Sequence, residues 1–350
     1  MMHHQIQETT SELGPISGEV AKADQARYVA GVDIGGTNLR IALADTAGSV
    51  IAKWSCSTTG IRDAASVVAL IVDGVHHLLQ GVSSPLSALQ AIAAGAPGIT
   101  NVDEGVVIAT SYLMGWRNVP LRAVLEDALG VPAAIDNDVN LAALGESWTG
   151  AASNARSFVF LAIGTGIGAG IMLNHELLRG TNWSAGEIGY MLVPGIPATP
   201  KERSEPGALE NIAGGQGIRA QWQTLWSAEK THLPQDLTAT QIFDHADEGD
   251  SLAQSVLQQT AGLLSLAIYN MSLVLDCPLF VFGGGVGLHP ALCRETQASL
   301  ERWDVRGCPR LERSVLGPDA QLMGALRLAL DVAGVGRERT PTTARIPQRL

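Results

Sequence analysis

The chain has 350 residues, 46% of them hydrophobic and 16% charged, with 39 glycines and only 5% aromatics. One core rarely grows past ~250–300 residues, so two domains are expected, with interiors built mainly from Ala, Val, Leu and Ile. The formal net charge of −11 repels a polyanion and no basic stripe offsets it, which argues against nucleic acid as a partner.

Residues 1–27 are polar and aperiodic and read as a loose tail. Their opening, "MMHHQIQETT", lacks the charged-then-apolar pattern of a signal peptide. Strand-like runs follow at Tyr28–Ile34, Asn38–Asp45 and Val50–Ser57, with Asp45–Gly48 turning between the last two. They lie too close together for helical crossovers and so predict an antiparallel meander. A helix is expected over Asp63–Gln80, then the strand "LQAIAAGAPG", ending in a glycine–proline break. A short strand at Gly105–Ala109, a helix at Leu121–Leu129 and the strand "VPAAID" come next, and the helix "VNLAALGESW" starts directly after Asp138.

Near residue 157 the pattern restarts. "SFVFLAIGTGIGAGIML" is again strand, glycine-rich tip, strand, so the tips at Asp33–Asn38 and Gly164–Gly168 look like one duplicated motif. The long apolar run "AGLLSLAIYNMSLVL" is interrupted by Asn270 and leads into another strand, as a buried helix would rather than a membrane span. Helices flank the strand-to-glycine junction "PLFVFGGGVG". A last helix begins at Asp319, and the short, basic tail beyond it reads as disordered. The expected division is a tail at 1–27, a small α/β domain at 28–138 completed by the helix at 319–334, a large α/β domain at 139–318, and a tail at 335–350. Cys56, Cys277, Cys293 and Cys308 are far apart and form no CxxC, as in the reduced thiols of a cytoplasmic protein.

The tip from Asp33 to Asn38 is compatible with a mere tight turn. The second loop, "GTGIGAG", adds weight to a phosphate site, because glycine lets backbone N–H groups approach phosphate oxygens. Thr37 and Thr165 add hydroxyl donors. The dinucleotide fingerprint needs a helix after its glycines, whereas strand-like "GIML" follows here. With only Lys22, Lys53, Lys201 and Lys230 in the chain there is no Walker lysine, so amides, hydroxyls and a metal must hold any phosphates. Asp33 is then a candidate for Mg²⁺, through water, unless it only caps the turn.

"AIDNDVNLAALGE" puts Asp136, Asn137 and Asp138 at a strand-to-helix junction, where α/β proteins bind ligands. Asp136 is a candidate helix N-cap. Asp138 is the candidate catalytic base for phosphoryl transfer to an alcohol. The helix N-terminus is expected to keep it ionised, hence weakly basic. Glu187 in "GEIGY" and Glu210 in "GALENIAGG" are candidates to accept hydrogen bonds from a polyol, or else solvated surface glutamates.

These segments, with "GAPG" at Gly95–Gly98, "LMGWRNVPL" at Leu113–Leu121 and "FGGGV", occur in the order seen in the ROK family (repressor, open reading frame, kinase). The chain resembles that family's glucokinase-type sugar kinases over about residues 28–332. The resemblance implies an actin-like (ribonuclease H-like) ATPase fold of two α/β domains with the active site in the cleft between them. It implies nucleotide binding by Gly35, Gly36, Thr37 and Asn38, by Gly164, Thr165 and Gly166, and by Gly283, Gly284 and Gly285. It implies sugar binding by Gly98, Asn137, Asp138, Glu187, Tyr190 and Glu210, and a homodimer or homotetramer. Many members have a histidine at the place of Tyr190 that binds a structural zinc together with three cysteines. Between Tyr190 and Glu210 this sequence has no Cys or His, so no zinc is expected. Pro194, Pro197, Pro200 and Pro206 are expected to stiffen that loop instead.

The function so implied is ATP- and Mg²⁺-dependent phosphorylation of a hexose, with glucose the first expectation. Mannose, fructose or an N-acetylhexosamine as acceptor, and polyphosphate as donor, are the alternatives. A non-catalytic sugar-sensing regulator would carry an N-terminal helix-turn-helix, and residues 1–27 lack the apolar periodicity for one.

Overall fold

The computed structural model describes residues 26–61, 63–109, 116–194, 206–303 and 307–335. The expected meander is present as β1 (Tyr28–Ile34), β2 (Asn38–Asp45) and β3 (Val50–Ser57), antiparallel throughout. Helix α1 (Ala64–Gly81) is capped by Asp63, whose carboxylate accepts the Ser66 N–H at 2.8 Å. It crosses to β4 (Leu89–Ala96), parallel to β1. A small side sheet of β5 (Ile99–Asn101), β6 (Val106–Ala109) and β7 (Arg117–Val119) follows, then α2 (Leu121–Leu129) and β8 (Ala133–Asn137), parallel to β4. The sheet order is β3-β2-β1-β4-β8. Helix α3 (Asp138–Thr149) begins at the residue after β8.

The second half repeats this plan. Strands β9 (Phe158–Ile163), β10 (Ile167–Leu173) and β11 (Glu176–Leu177) form an antiparallel meander. Strand β12 (Leu279–Gly283) adds parallel to β9, and β13 (Arg310–Arg313) parallel to β12. The order β11-β10-β9-β12-β13 matches the first sheet strand for strand, so the duplication seen in two hairpin tips extends to both whole sheets. Between β11 and β12 the second half inserts α4 (Glu210–Ala213), α5 (Gly215–Leu225), α6 (Ala239–Asp247) and α7 (Ser251–Leu275). Helices α8 (Gly284–Gly287) and α9 (Pro290–Glu301) precede β13, and α10 (Ala320–Val332) ends the fold.

Each sheet is covered on both faces. Val67, Ile71 and Val75 of α1 pack on Val32, Ile41 and Ile92 of the first sheet. Its other face, made of Val29, Ala42, Ala44, Ala91 and Ala93, receives Leu322, Leu326 and Ala329 of α10. In the second sheet, Phe280 and Phe282 face Trp222, Phe243 and the buried residues of α7. Phe158, Phe160 and Met172 on the opposite face receive Ala142 and Ala143 of α3. Thus α3 follows the first sheet but lies on the second, and α10 follows the second but lies on the first.

The two exchanged helices cross on glycines. A Cβ at Gly145 would stand 2.3 Å from the Ala320 carbonyl oxygen, and one at Gly324 only 1.7 Å from that of Leu141. Beside the crossing, Glu146 is fully buried. Its Oε1 accepts from the Ser314 hydroxyl and from Leu316 N–H, and its Oε2 accepts the Ala151 N–H at 2.6 Å. These bonds tie α3 to the segment leading from β13 into α10. Helix α1 is long and apolar enough to cross a bilayer, at a mean hydropathy of 1.3, but the face just described is spent on the sheet. The end of α7 departs from the buried helix expected there, since Leu273 and Val274 are exposed.

Candidate functional site

A cleft of about 460 Å³ opens where the glycine-rich tips of both sheets meet. Its walls bring together Gly35 and Gly36, Gly98, Asn137 and Asp138, Gly164, Thr165 and Gly166, Glu187, Tyr190, Glu210 and Gly284. Residues more than 240 positions apart in sequence thus face one space. Thr37 and Asn38 are exposed at the tip and do not line it; Asn38 Nδ2 donates to Thr37 Oγ1 at 3.3 Å. Gly283 is also outside the wall, buried in β12, where a Cβ would meet the Phe160 ring at 2.2 Å. Its hydrogen side chain serves packing under the loop. Gly285 lies one residue beyond the wall with open space around its Cα.

The strand-to-helix junction differs from expectation in a way that bears on the chemistry. The N-cap of α3 is Asn137, not Asp136: its Oδ1 accepts from Val139 N–H at 2.8 Å and Asn140 N–H at 3.1 Å. Asn137 Nδ2 donates to the Gly98 carbonyl at 2.9 Å, so the cap also fixes the "GAPG" turn, where Gly98 has φ +94°. Asp136 is buried in β8 and paired with Arg179, whose Nε and Nη2 lie 2.9 and 2.7 Å from its Oδ2. Asn140 Nδ2 donates to its Oδ1 at 3.0 Å.

Asp138 occupies the first helical position, and Val139 N–H reaches its Oδ1 at 2.9 Å. The helix terminus does not win. Desolvation in the cleft, then the nearby charge of Asp33, raise its carboxyl to about 7, with Glu187 adding to the rise and the Val139 N–H only partly opposing it. A strong, neutral-range base replaces the weak one expected from local sequence.

Glu187 follows Gly186, which has φ +93° and would place a Cβ 1.9 Å from the Ala169 carbonyl oxygen. Only glycine lets this turn lie flat on β10, and that contact fixes the next side chain at the cleft. Glu187 is raised above the ordinary carboxylate range by desolvation and by the charge of Glu210. Glu210 is anchored, its Oε2 accepting the Ile167 N–H at 2.8 Å. The Tyr190 hydroxyl is raised by desolvation and by both glutamates. Glu187 and Tyr190 are exposed in the open cleft and Glu210 is half-buried, so the "GEIGY" and "GALENIAGG" segments are constrained walls that still face solvent.

Asp33 lies behind the first tip with 8% exposure. Arg40, which belongs to none of the motifs picked out above, sets Nε at 2.9 Å and Nη2 at 2.6 Å from its Oδ2. Burial still raises the Asp33 carboxyl, with Arg40 opposing the rise. A signal for Arg40 existed: the hairpin register pairs Ile34 with Leu39 and hence Asp33 with Arg40. Gln216 and Gln321 also line the cleft; Gln321 arrives from α10, which no local spacing could indicate. Among the described residues no group of three or more His, Cys, Asp or Glu is arranged to hold a metal. A divalent cation here would need phosphate oxygens and water besides Asp33, the usual manner of Mg²⁺ beside a nucleotide. Pro194 and Pro206 flank residues 195–205, and the stretch with Pro197 and Pro200 lies outside the described residues, as does the start of "LMGWRNVPL".

Comparison with known proteins places the chain in a family. The model of the ROK family matches residues 29–332. A glucokinase of Halalkalibacterium halodurans is 36% identical over 267 residues, covering 74% of this chain and 81% of that protein. An N-acetyl-D-glucosamine kinase of Shigella sonnei is 28% identical over 311 residues, covering 86% and 98%. The solved structure of a ROK family glucokinase from Streptomyces griseus, in complex with glucose and AMPPNP, superposes with a TM-score of 0.72 at 25% identity, covering 87% of this chain and 99% of that one.

Proposed function

The chain belongs to the ROK family of sugar kinases and has its actin-like fold, and from that premise we propose that it is an ATP-dependent hexokinase that phosphorylates the C6 hydroxyl of glucose. The observation that carries this reading is Asp138: a carboxylate poised near neutrality, in a cleft that also holds two glutamates and two glycine-rich loops.

In this reading Glu187, Glu210 and Asn137 receive the sugar hydroxyls and Asp138 orients the acceptor hydroxyl. Asp138 accepts that proton as the oxygen attacks the terminal phosphorus. Backbone N–H groups of Gly35, Gly36 and Gly164–Gly166 and the Thr165 hydroxyl cradle the phosphates. Mg²⁺, held by the nucleotide and through water by Asp33, would offset charge on the transferring group. One lobe comprises 28–138 with the helix from 319, the other 139–318, and their closure keeps water from competing as acceptor. The chain is further read as a homodimer or homotetramer, with zinc absent.

Glucose is preferred as the acceptor because the glucokinase relative is the more similar of the two curated kinases, at 36% against 28% identity. Direct measurement of sugar phosphate formed from glucose, mannose, fructose and N-acetylglucosamine, each with ATP or polyphosphate, tests the proposal. Glucose with ATP is expected to give the highest kcat/KM. A higher value for another sugar overturns the specificity, and no turnover with any sugar overturns the kinase.

A further inference from the structure

Arg40 divides its guanidinium between Asp33 and the turn that opens α10, where its Nη1 also lies 3.8 Å from Asp319 Oδ1. Nε and Nη2 both reach Oδ2 of Asp33, and Nη1 donates to the Pro318 carbonyl at 2.5 Å. Pro318 belongs to the single 3-10 turn Gly317–Asp319 that opens into α10. The first turn of α10 carries Gln321 into the cleft wall. Two walls that come from opposite ends of the chain, the tip after β1 and the start of α10, therefore meet on one side chain. The planar fork is what allows this: three nitrogens in fixed directions serve a carboxylate and a carbonyl together, which a single ammonium does not. The neighbouring pair of Lys53 with Asp319, at 2.6 Å, holds the same turn without touching Asp33.

We propose that Arg40 is a positioning residue of the cleft: it fixes the orientation of the Asp33 carboxylate and locks the entry of α10 to it. Because both Arg40 bonds fall on Oδ2, and among the described residues no hydrogen bond is made to Oδ1, the guanidinium sets which oxygen Asp33 can offer. This rests on the kinase reading, in which Asp33 serves the cation of the bound nucleotide. Loss of a partner that orients a direct metal ligand typically weakens metal binding about 10–100-fold, and Asp33, acting through water, sets Arg40 one shell further out.

The test is Mn²⁺ binding followed by electron paramagnetic resonance with saturating AMPPNP and glucose, so that no turnover is needed. Arg40→Met is expected to weaken Mn²⁺ by about tenfold, the lower end of that range, and Arg40→Lys to recover part of that loss. Lys53→Met, which loosens the turn but leaves Asp33 paired, is expected to match wild type. Wild-type affinity in Arg40→Met overturns the proposal, as does an equal loss in Lys53→Met, which would make the effect one of general loosening. Should Arg40→Met fail to fold, Arg40→Lys carries the test: weaker binding supports the proposal and unchanged binding overturns it. A wild-type protein that takes up no Mn²⁺ with the analogue overturns the kinase reading and this proposal with it.

Discussion

Asp138 sits where two influences oppose each other, and the winner decides the pH range in which it can act. Desolvation and the charge of Asp33 lift its carboxyl to about 7 against the pull of the Val139 N–H. The base must be ionised to accept a proton, so kcat/KM is expected to fall about tenfold per pH unit below 7 and to level above it, as a pH–rate profile will check. Asp138→Asn is expected to lower kcat by ~10²–10⁴. The same substitution carries a stability signature of definite sign. A raised pKa means that the folded protein binds this proton more tightly than the unfolded chain does. The stabilisation is full below the unfolded value near 3.8 and is lost as the pH rises through about 7. Asp138→Asn is therefore expected to melt higher than wild type at pH 8, with the gap narrowing at pH 5. Sequence revealed the residue but not its state. The helix terminus is local and readable; Asp33 and Glu187, which help to raise the pKa, come from distant segments.

Among the elements, glycines of similar appearance in the sequence do opposite work. A Cβ at Gly262 in α7 would find nothing within 4 Å, whereas at Gly324 in α10 the Leu141 carbonyl already fills that space. Gly262→Ala is expected to stabilise by about 0.4–1 kcal/mol through the unfolded chain's lost freedom. Gly324→Ala is expected to destabilise by ~1–3 kcal/mol or more, because α3 and α10 must move apart. Urea denaturation of the two variants checks both signs. Helix propensity treats the two positions alike, which is why the α3–α10 crossing was not legible. The meander, α1 and α2 were legible because strand-like apolar runs and helical periodicity are short-range signals, whereas Asp63, read as the first helical residue, is the N-cap of α1. The register of β1 on β2 was equally within reach and would have exposed Arg40.

For the molecule as a whole, both sheets depend on helices contributed by the other half, with α10 on the first and α3 on the second. Neither half holds a core that is complete without the other, so heating is expected to give one cooperative transition with equal calorimetric and van't Hoff enthalpies. Two separated transitions would contradict this. The duplication was legible in sequence only at the two glycine-rich tips, because side chains elsewhere have diverged while the strand order has not. The reciprocal covering has a consequence for any chain of half the length. Such a chain, built as one sheet and its trailing helix, would leave one apolar sheet face bare unless it traded that helix with a twin. The present protein is equivalent to a domain-swapped pair whose partners are joined end to end, so the trade cannot be undone by dilution.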